Sequence, residues 1–139
     1  TMDYHNVELY ADAIFKAVGY KWKTFGHIVH NTAAKESDSH FAGVTSKEDT
    51  SYIIGATMYT TPKLSLGYQY RHMAAHAAPS NMVEGTFGSN QKGHVFITSY
   101  KFTKNMMLKV IYLVSEEIAA SSDSNDKHDS ITFDVIYKF

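Results

Sequence analysis

Cysteine is absent from the 139-residue chain, so neither a disulfide scaffold nor a thiolate metal site is available to it. That absence alone decides little about compartment. Long apolar runs are missing too: no stretch approaches the roughly 18 residues a membrane helix requires, so any membrane location would have to be reached with strands. An excess of basic residues is also lacking. The formal charge is -1 and the pI about 6.7, with no Lys/Arg stripe, which argues against a nucleic-acid partner. Residues 1–6 carry no basic stretch followed by an apolar one, so an export signal has been removed or the chain is a piece of something larger. No Gly-x-Ser-x-Gly elbow and no glycine-rich phosphate loop occurs, and no cofactor is expected.

What the chain does have is aromatic and β-branched character. Ten tyrosines, eight phenylalanines and one tryptophan accompany plentiful Thr, Ser, Val and Ile, while Leu is scarce, a balance that suits pleated surfaces. Period-two patterning predicts about seven strands, near 7–17, 21–30, 52–59, 64–72, 93–102, 107–116 and 131–139. The connections between them alternate. Those at 18–20, 60–63 and 103–106 are short, whereas 31–51, 73–92 and 117–129 are long and mostly polar. Hairpins with one end in a confined compartment and the other facing outside have this pattern. The stretches YTTPKLSLGY from Tyr59 and FTKNMMLKVIY from Phe102 read as one repeated hairpin unit, aromatic residue first.

Strands of about nine to eleven residues match what a tilted strand needs to cross hydrocarbon, where soluble sheets average about five or six. Four of them alternate cleanly. Val7, Leu9, Ala11, Ala13 and Phe15 share one face of the first; Leu64, Leu66, Tyr68 and Tyr70 of the fourth; Leu108, Val110, Tyr112 and Val114 of the sixth; Ile131, Phe133, Val135, Tyr137 and Phe139 of the seventh. The second and fifth are ambiguous in register, and the expected outward sets are Trp22, Thr24, Gly26, Ile28 and Phe96, Thr98, Tyr100, Phe102. The third has no clear register.

The last nine residues, ITFDVIYKF, resemble the C-terminal assembly signal of outer-membrane barrels, with Phe133, Val135, Tyr137 and Phe139 at alternate positions and Phe at the end. Together with YKFTKNMMLKVIYLVSEE, they make the chain similar to the ends of Gram-negative porins of the major outer-membrane and putative-porin types. The resemblance implies an all-β, antiparallel up-and-down transmembrane barrel in the bacterial outer membrane. It also implies a passive channel for ions and small hydrophilic solutes, with no reaction catalysed. The implied partners are outer-membrane lipid, the barrel-assembly machinery and two further copies in a homotrimer. In that family the C-terminus is periplasmic, which would put the short turns in the periplasm and the long loops outside. Seven is odd where such barrels have even strand numbers, so further N-terminal strands are expected, or else an eighth strand completes a small closed barrel.

The implied lumen residues are Glu8, Asp12, Lys16, Lys23, Gln69, Arg71, Lys109, Asp134 and Lys138, with His27 as a further candidate. Their mixed signs suit a general diffusion pore; simple support of the wall by salt bridges is the competing role. Of the eight histidines, His72 and His76 have a ligand-like spacing, but His76 falls in the loop segment MAAHAAPSN, and no metal site is expected. Two other functional readings stand beside the pore. One is a soluble lipocalin-like barrel holding an apolar ligand, its aromatics facing inward. The other is a small closed outer-membrane barrel acting as an enzyme or adhesin.

Overall fold

The computed structural model describes residues 5–33, 49–77, 88, 90–118 and 127–138. They form β1 (Asn6–Ala17), β2 (Tyr20–Asn31), β3 (Thr50–Tyr59), β4 (Leu64–Met73), β5 (Gln91–Lys101), β6 (Met106–Glu117) and β7 (Lys127–Tyr137). Each strand pairs antiparallel with the next in a single sheet of order β1 to β7. The chain is therefore all-β and up-and-down, as period-two patterning predicts. Among the described residues β1 and β7 pair on one side only, so the sheet has two edges.

The tight turns explain the hairpin registers. Ala17 faces Tyr20 across a two-residue loop in which Val18 and Gly19 have φ of 53° and 78°. Positive φ at both central positions is the type I′ geometry, whose twist matches the flanking strands. Glycine adopts it freely, but a β-branched side chain is strained there. Val18 is 89% exposed, so the strain is not offset by packing. Val18→Asn is accordingly expected to stabilise the fold by about 1 kcal/mol. A chemical-denaturation midpoint that stayed unchanged or fell would contradict the strain argument.

The β3–β4 and β5–β6 turns share one bonding scheme. Thr61 Oγ1 accepts from the amides of Lys63 (3.2 Å) and Leu64 (2.9 Å), while Thr103 Oγ1 accepts from those of Asn105 (3.2 Å) and Met106 (3.0 Å). In each, the threonine amide donates to the carbonyl closing the turn, at 3.3 Å. The equivalence thus runs Thr61 to Thr103 and Leu66 to Leu108. Aligning the two stretches on Tyr59 and Phe102 is one residue out of step: side-chain capping by threonine sets the unit, not the aromatic residue.

At the opposite end the strands run further than the sequence pattern suggests. Residues 127–129, read as part of a polar loop, extend β7 together with Ser130, with Lys127 opposite Glu116 and His128 opposite Ser115. Opposite charges across a strand pair support this extension where hydrophobic alternation is silent. Phe139, the last residue of the expected terminal strand, lies outside the described residues.

Register and alternation sort the side chains into two faces. One carries Val7 to Phe15 of β1, Trp22 to Ile28 of β2, Tyr52 to Met58 of β3, Leu64 to Tyr70 of β4, Phe96 to Tyr100 of β5, Leu108 to Val114 of β6 and Ile131 to Tyr137 of β7, every second residue in each case. This apolar face includes the sets expected for the ambiguous strands, except that Phe102 lies past the end of β5. Its Asp, Glu, Lys and Arg side chains within the strands are confined to Lys92, Glu116, Lys127 and Asp129, at the loop end. Aromatic contacts run across it, from Tyr52 stacked on His72 (5.1 Å) through Tyr68–Phe96 (5.3 Å) to Phe96–Tyr112 (6.2 Å). At the turn end, Trp22 donates its indole N–H to the Ala17 carbonyl at 3.1 Å.

The sheet curls toward the other face. Side chains there crowd one another in the middle of the sheet, Val95 and Leu113 being 4% and 2% exposed where Phe96 and Tyr112, next to them on the apolar face, are 46% and 39% exposed. Two glycines accommodate the crowding. A Cβ on Gly55 would meet the Phe25 ring at 2.7 Å, because that ring lies across β3 toward Gln69. One on Gly93 would collide with the Val114 carbonyl oxygen and approach Ser115 Cα to 2.7 Å, so the β6 backbone occupies the space that a side chain on Gly93 would need.

Candidate functional site

The inward face carries most of the strands' charge, and all of it away from the loop end. Glu8, Asp12 and Lys16 on β1, Lys23 on β2, Gln69 and Arg71 on β4, Lys109 on β6 and Asp134 on β7 all fall on it by register, as does His27; Lys138, just past β7, continues the same alternation. Alternation has to put them there, since the neighbouring positions hold the apolar set.

Several of these residues meet. Lys23 Nζ lies 3.6 Å from Asp12 Oδ2, and His27 Nε2 lies 3.4 Å from Glu8 Oε2. Arg71 donates through Nε (3.1 Å) and Nη2 (2.9 Å) to Gln69 Oε1, which fixes the guanidinium along β4. Lys109 stands opposite Asp134. The Asp12–Lys23 pair is well hydrated, with side chains about two-fifths exposed, so such contacts position charge more than they stabilise the sheet. Lys16 faces another lysine, Lys21, across the hairpin. Lys21 in turn sits over the Tyr59 ring, its Nζ 5.5 Å from the centroid.

A charge gradient follows. The turn end carries Lys16, Lys21, Lys63, Lys101, Lys104 and Lys138, against the single carboxylate of Asp134. At the loop end of the same inward face the charged side chains are mixed, Glu8 and Glu117 with Arg71. Lys21 and Lys101 are inward-facing residues that the sequence reading overlooks, since each sits at a strand terminus next to turn residues.

Two other features of the inward face were not foreseen. An apolar cluster of Val95 and Leu113, with Met73, Ile97 and Ile111 against it, interrupts the polar surface on β4 to β6. At the loop end, residues 74–77 leave β4 and turn inward as a strap. Ala74 N–H donates to Ser51 Oγ (2.8 Å) on β3, and Asn31 Nδ2 donates to the His76 carbonyl (2.8 Å) on reaching β2. Asn31 also accepts through Oδ1 from the amides of His5 (3.0 Å) and Ala33 (3.1 Å). His76 is 2% exposed, and neither ring nitrogen has a hydrogen-bond partner among the described residues. The signal for the strap is present in the sequence: Met-Ala-Ala-His-Ala-Ala is a small apolar run inside a polar connection, and such a run stays on the surface only at a cost.

The histidine pair with ligand-like spacing is split. His72 stacks on Tyr52 at the apolar face, whereas His76 is enclosed by the strap. Among the described residues no three His, Cys, Asp or Glu side chains are grouped to hold a metal ion. The terminal-strand residues Phe133, Val135 and Tyr137 are aligned on the apolar face of β7 and strongly exposed.

Comparison with protein-family models, with curated proteins and with solved structures finds no match.

Proposed function

We propose that this sheet is part of the wall of an outer-membrane pore that passes ions and small hydrophilic solutes by passive diffusion. The observation that carries the reading is the division of charge between the faces. Strands of 10 to 12 residues, tilted by about 40°, span roughly 25–30 Å, and over most of that length one face has no Asp, Glu, Lys or Arg. Water gives no reason to keep such a face clean; hydrocarbon does. Aromatic residues toward both ends suit the interfacial zones. The inward carboxylates and ammonium groups then line an aqueous path. A soluble lipocalin-like barrel needs the aromatics inside, yet Tyr68, Phe96 and Phe133 lie on the exposed face.

On this reading the protein is no enzyme, its partners are outer-membrane lipid and the assembly machinery, and it works as a homotrimer. Planar-bilayer recording on the purified native protein tests it: discrete, long-lived conductance steps are expected. A second reading rests on the Val95–Leu113 cluster. Apolar packing on the inward face is what a narrow, side-chain-filled outer-membrane barrel would have, and vesicle insertion without any conductance would favour it.

The lysine-rich turn end gives the pore a preference. Reversal potentials in a KCl gradient are expected to show mild anion selectivity that Lys21→Glu with Lys101→Glu shifts toward cations. An unchanged reversal potential would place these lysines away from the ion path. The strap supplies a further expectation. Asn31→Ala removes the donor to the His76 carbonyl, which should loosen residues 74–77 and raise single-channel conductance or its noise. Traces identical to the parent would show that the strap does not narrow the mouth.

A further inference from the structure

We infer that the cavity at the loop end of the apolar face, between Tyr70, Lys92, Glu116 and Lys127, binds the phosphate headgroup of an anionic lipid. The inference rests on the membrane reading above and names the lipid chemistry that this surface selects.

The site begins where a pattern breaks. The strands keep Asp, Glu, Lys and Arg off the apolar face except at Lys92, Glu116, Lys127 and Asp129, and three of these four line one cavity of about 260 Å³. At roughly 30 Å³ per water, that is room for a phosphate and the carbons esterified to it. β5, β6 and β7 bring the charges side by side, Lys92 opposite Glu116 and Glu116 opposite Lys127. One carboxylate balances one ammonium. Glu116 Oε1 lies 3.2 Å from Lys92 Nζ, whereas Lys127 has no ion pair among the described residues. Asp129, two residues further along β7, stands opposite Val114 and does not line the cavity. The lining thus sets two ammonium groups against a single carboxylate, and the uncompensated one, on Lys127, is exposed. An anion seated here would balance the charge.

Depth and the adjoining surface specify a lipid in place of a free ion. β7 runs 11 residues from Lys127 to Tyr137, which at a tilt of about 40° covers roughly 25 Å, the height of the apolar band of a barrel. Lys127 then stands at one border of the hydrocarbon and Tyr137 at the other, and the border is the level of lipid headgroups. From the cavity toward the turn end, Val114 leads to Tyr112 and Phe96, whose rings stack at 6.2 Å and are 39% and 46% exposed. Acyl chains can lie along these rings, but a free phosphate gains nothing from them. On the β4 side the wall is already fixed: His94 Nδ1 is hydrogen-bonded to the Tyr68 hydroxyl at 2.8 Å, and its ring meets Tyr70 edge-on at 5.3 Å.

Native mass spectrometry of the purified native protein in nonionic detergent tests this, with titrations of phosphatidylglycerol, phosphatidylcholine of the same chains, and inorganic phosphate. One phosphatidylglycerol should be retained about 10-fold more tightly than phosphatidylcholine, and excess inorganic phosphate should not displace it. Lys127→Glu, and separately Lys92→Gln with Lys127→Gln, should weaken that retention about 10-fold; Lys63→Gln with Lys104→Gln, at the turn end, should leave it unchanged. Circular dichroism checks that each variant is folded, and Lys127→Glu, at an exposed strand end, carries the test if the double variant is not. Equal retention of the two lipids would overturn the proposal. So would displacement by phosphate, which makes the cavity a site for a soluble anion, an equal loss in the turn-end variant, or retention of neither lipid by protein that requires detergent. Failure of the membrane reading is separately visible, as protein that stays soluble without detergent.

Discussion

Phe133→Arg is expected to destabilise the protein in a bilayer by about 2–4 kcal/mol, while Thr132→Arg, one residue earlier, should cost under about 1 kcal/mol. The two positions are neighbours on β7 but face opposite ways, Phe133 opposite Val110 and Thr132 opposite Ile111. Phe133 is 69% exposed, so little protein packing is lost when it is replaced. In water the change would be close to neutral, because an exposed arginine on a sheet is ordinary. In hydrocarbon the guanidinium must be dehydrated or must drag water with it, and the cost is greatest near the midplane. Thr132 faces inward, toward the side that already holds Asp134 and Lys109. Urea titration of folding into phosphatidylcholine vesicles would measure both. Equal midpoints for the two variants would remove the main support for a lipid-facing surface, and refolding in vitro keeps any effect on cellular assembly out of the comparison.

The same alternation accounts for what was legible in the sequence. Along β1, β4 and β7 apolar and polar residues alternate with few exceptions, and a period of two admits only a strand with one dry face; β6 keeps its apolar face but also carries Met107, Ile111 and Leu113 inward. Trp22 to Ile28 and Phe96 to Tyr100 were ambiguous because Phe25 and Ile97 sit between them, and Val29 and Val95 beside them, and are equally apolar. The structure shows why: these residues fill the crowded inward side, Phe25 over Gly55 and Val95 against Leu113. Hydrophobic pattern cannot separate a side chain bound for the exposed apolar face from one bound for the packed inward side. Pairing does, since the register of neighbouring strands leaves each only one orientation.

Strand ends were the weaker part of the reading for a related reason. Lys127 to Asp129 look like loop, and their place in β7 depends on partners in β6, with Lys127 opposite Glu116. The charged candidates were legible as a set, because alternation assigned them to one side. Their pairings were not. That Lys23 reaches Asp12 diagonally, instead of its direct neighbour Ile14, depends on side-chain reach and sheet twist, which a linear pattern does not encode. Asn31 and Ser51 were hidden altogether, as polar residues at the borders of polar stretches. Their importance comes from the backbone groups of residues 74–77, brought to them across the sheet.

Gly93→Ala is expected to be among the most damaging small substitutions, costing about 3 kcal/mol or more. The new methyl would collide with the Val114 carbonyl oxygen and lie 2.7 Å from Ser115 Cα. Both are backbone atoms of β6, so no rotamer change relieves the contact; β5 and β6 would have to separate or slide. Gly26→Ala is the control. Its methyl would meet only Ile54 Cγ2, at 4.0 Å, on the apolar face, and relief of glycine's backbone entropy should leave that variant as stable as the parent or up to about 1 kcal/mol better. Gly55→Ala falls between them, because its obstacle is the Phe25 ring, which can swing away or be shortened by Phe25→Leu. Denaturation midpoints in vesicles would order the three. If Gly93→Ala matched Gly26→Ala, the close approach of β6 to β5 would be wrong. On the pore reading proposed above the contact also bears on conductance, since Val95 of the inward cluster lies two residues from Gly93 on β5. A Gly93→Ala protein that still folds should do so on a flatter sheet, and its conductance should rise in step with its loss of stability.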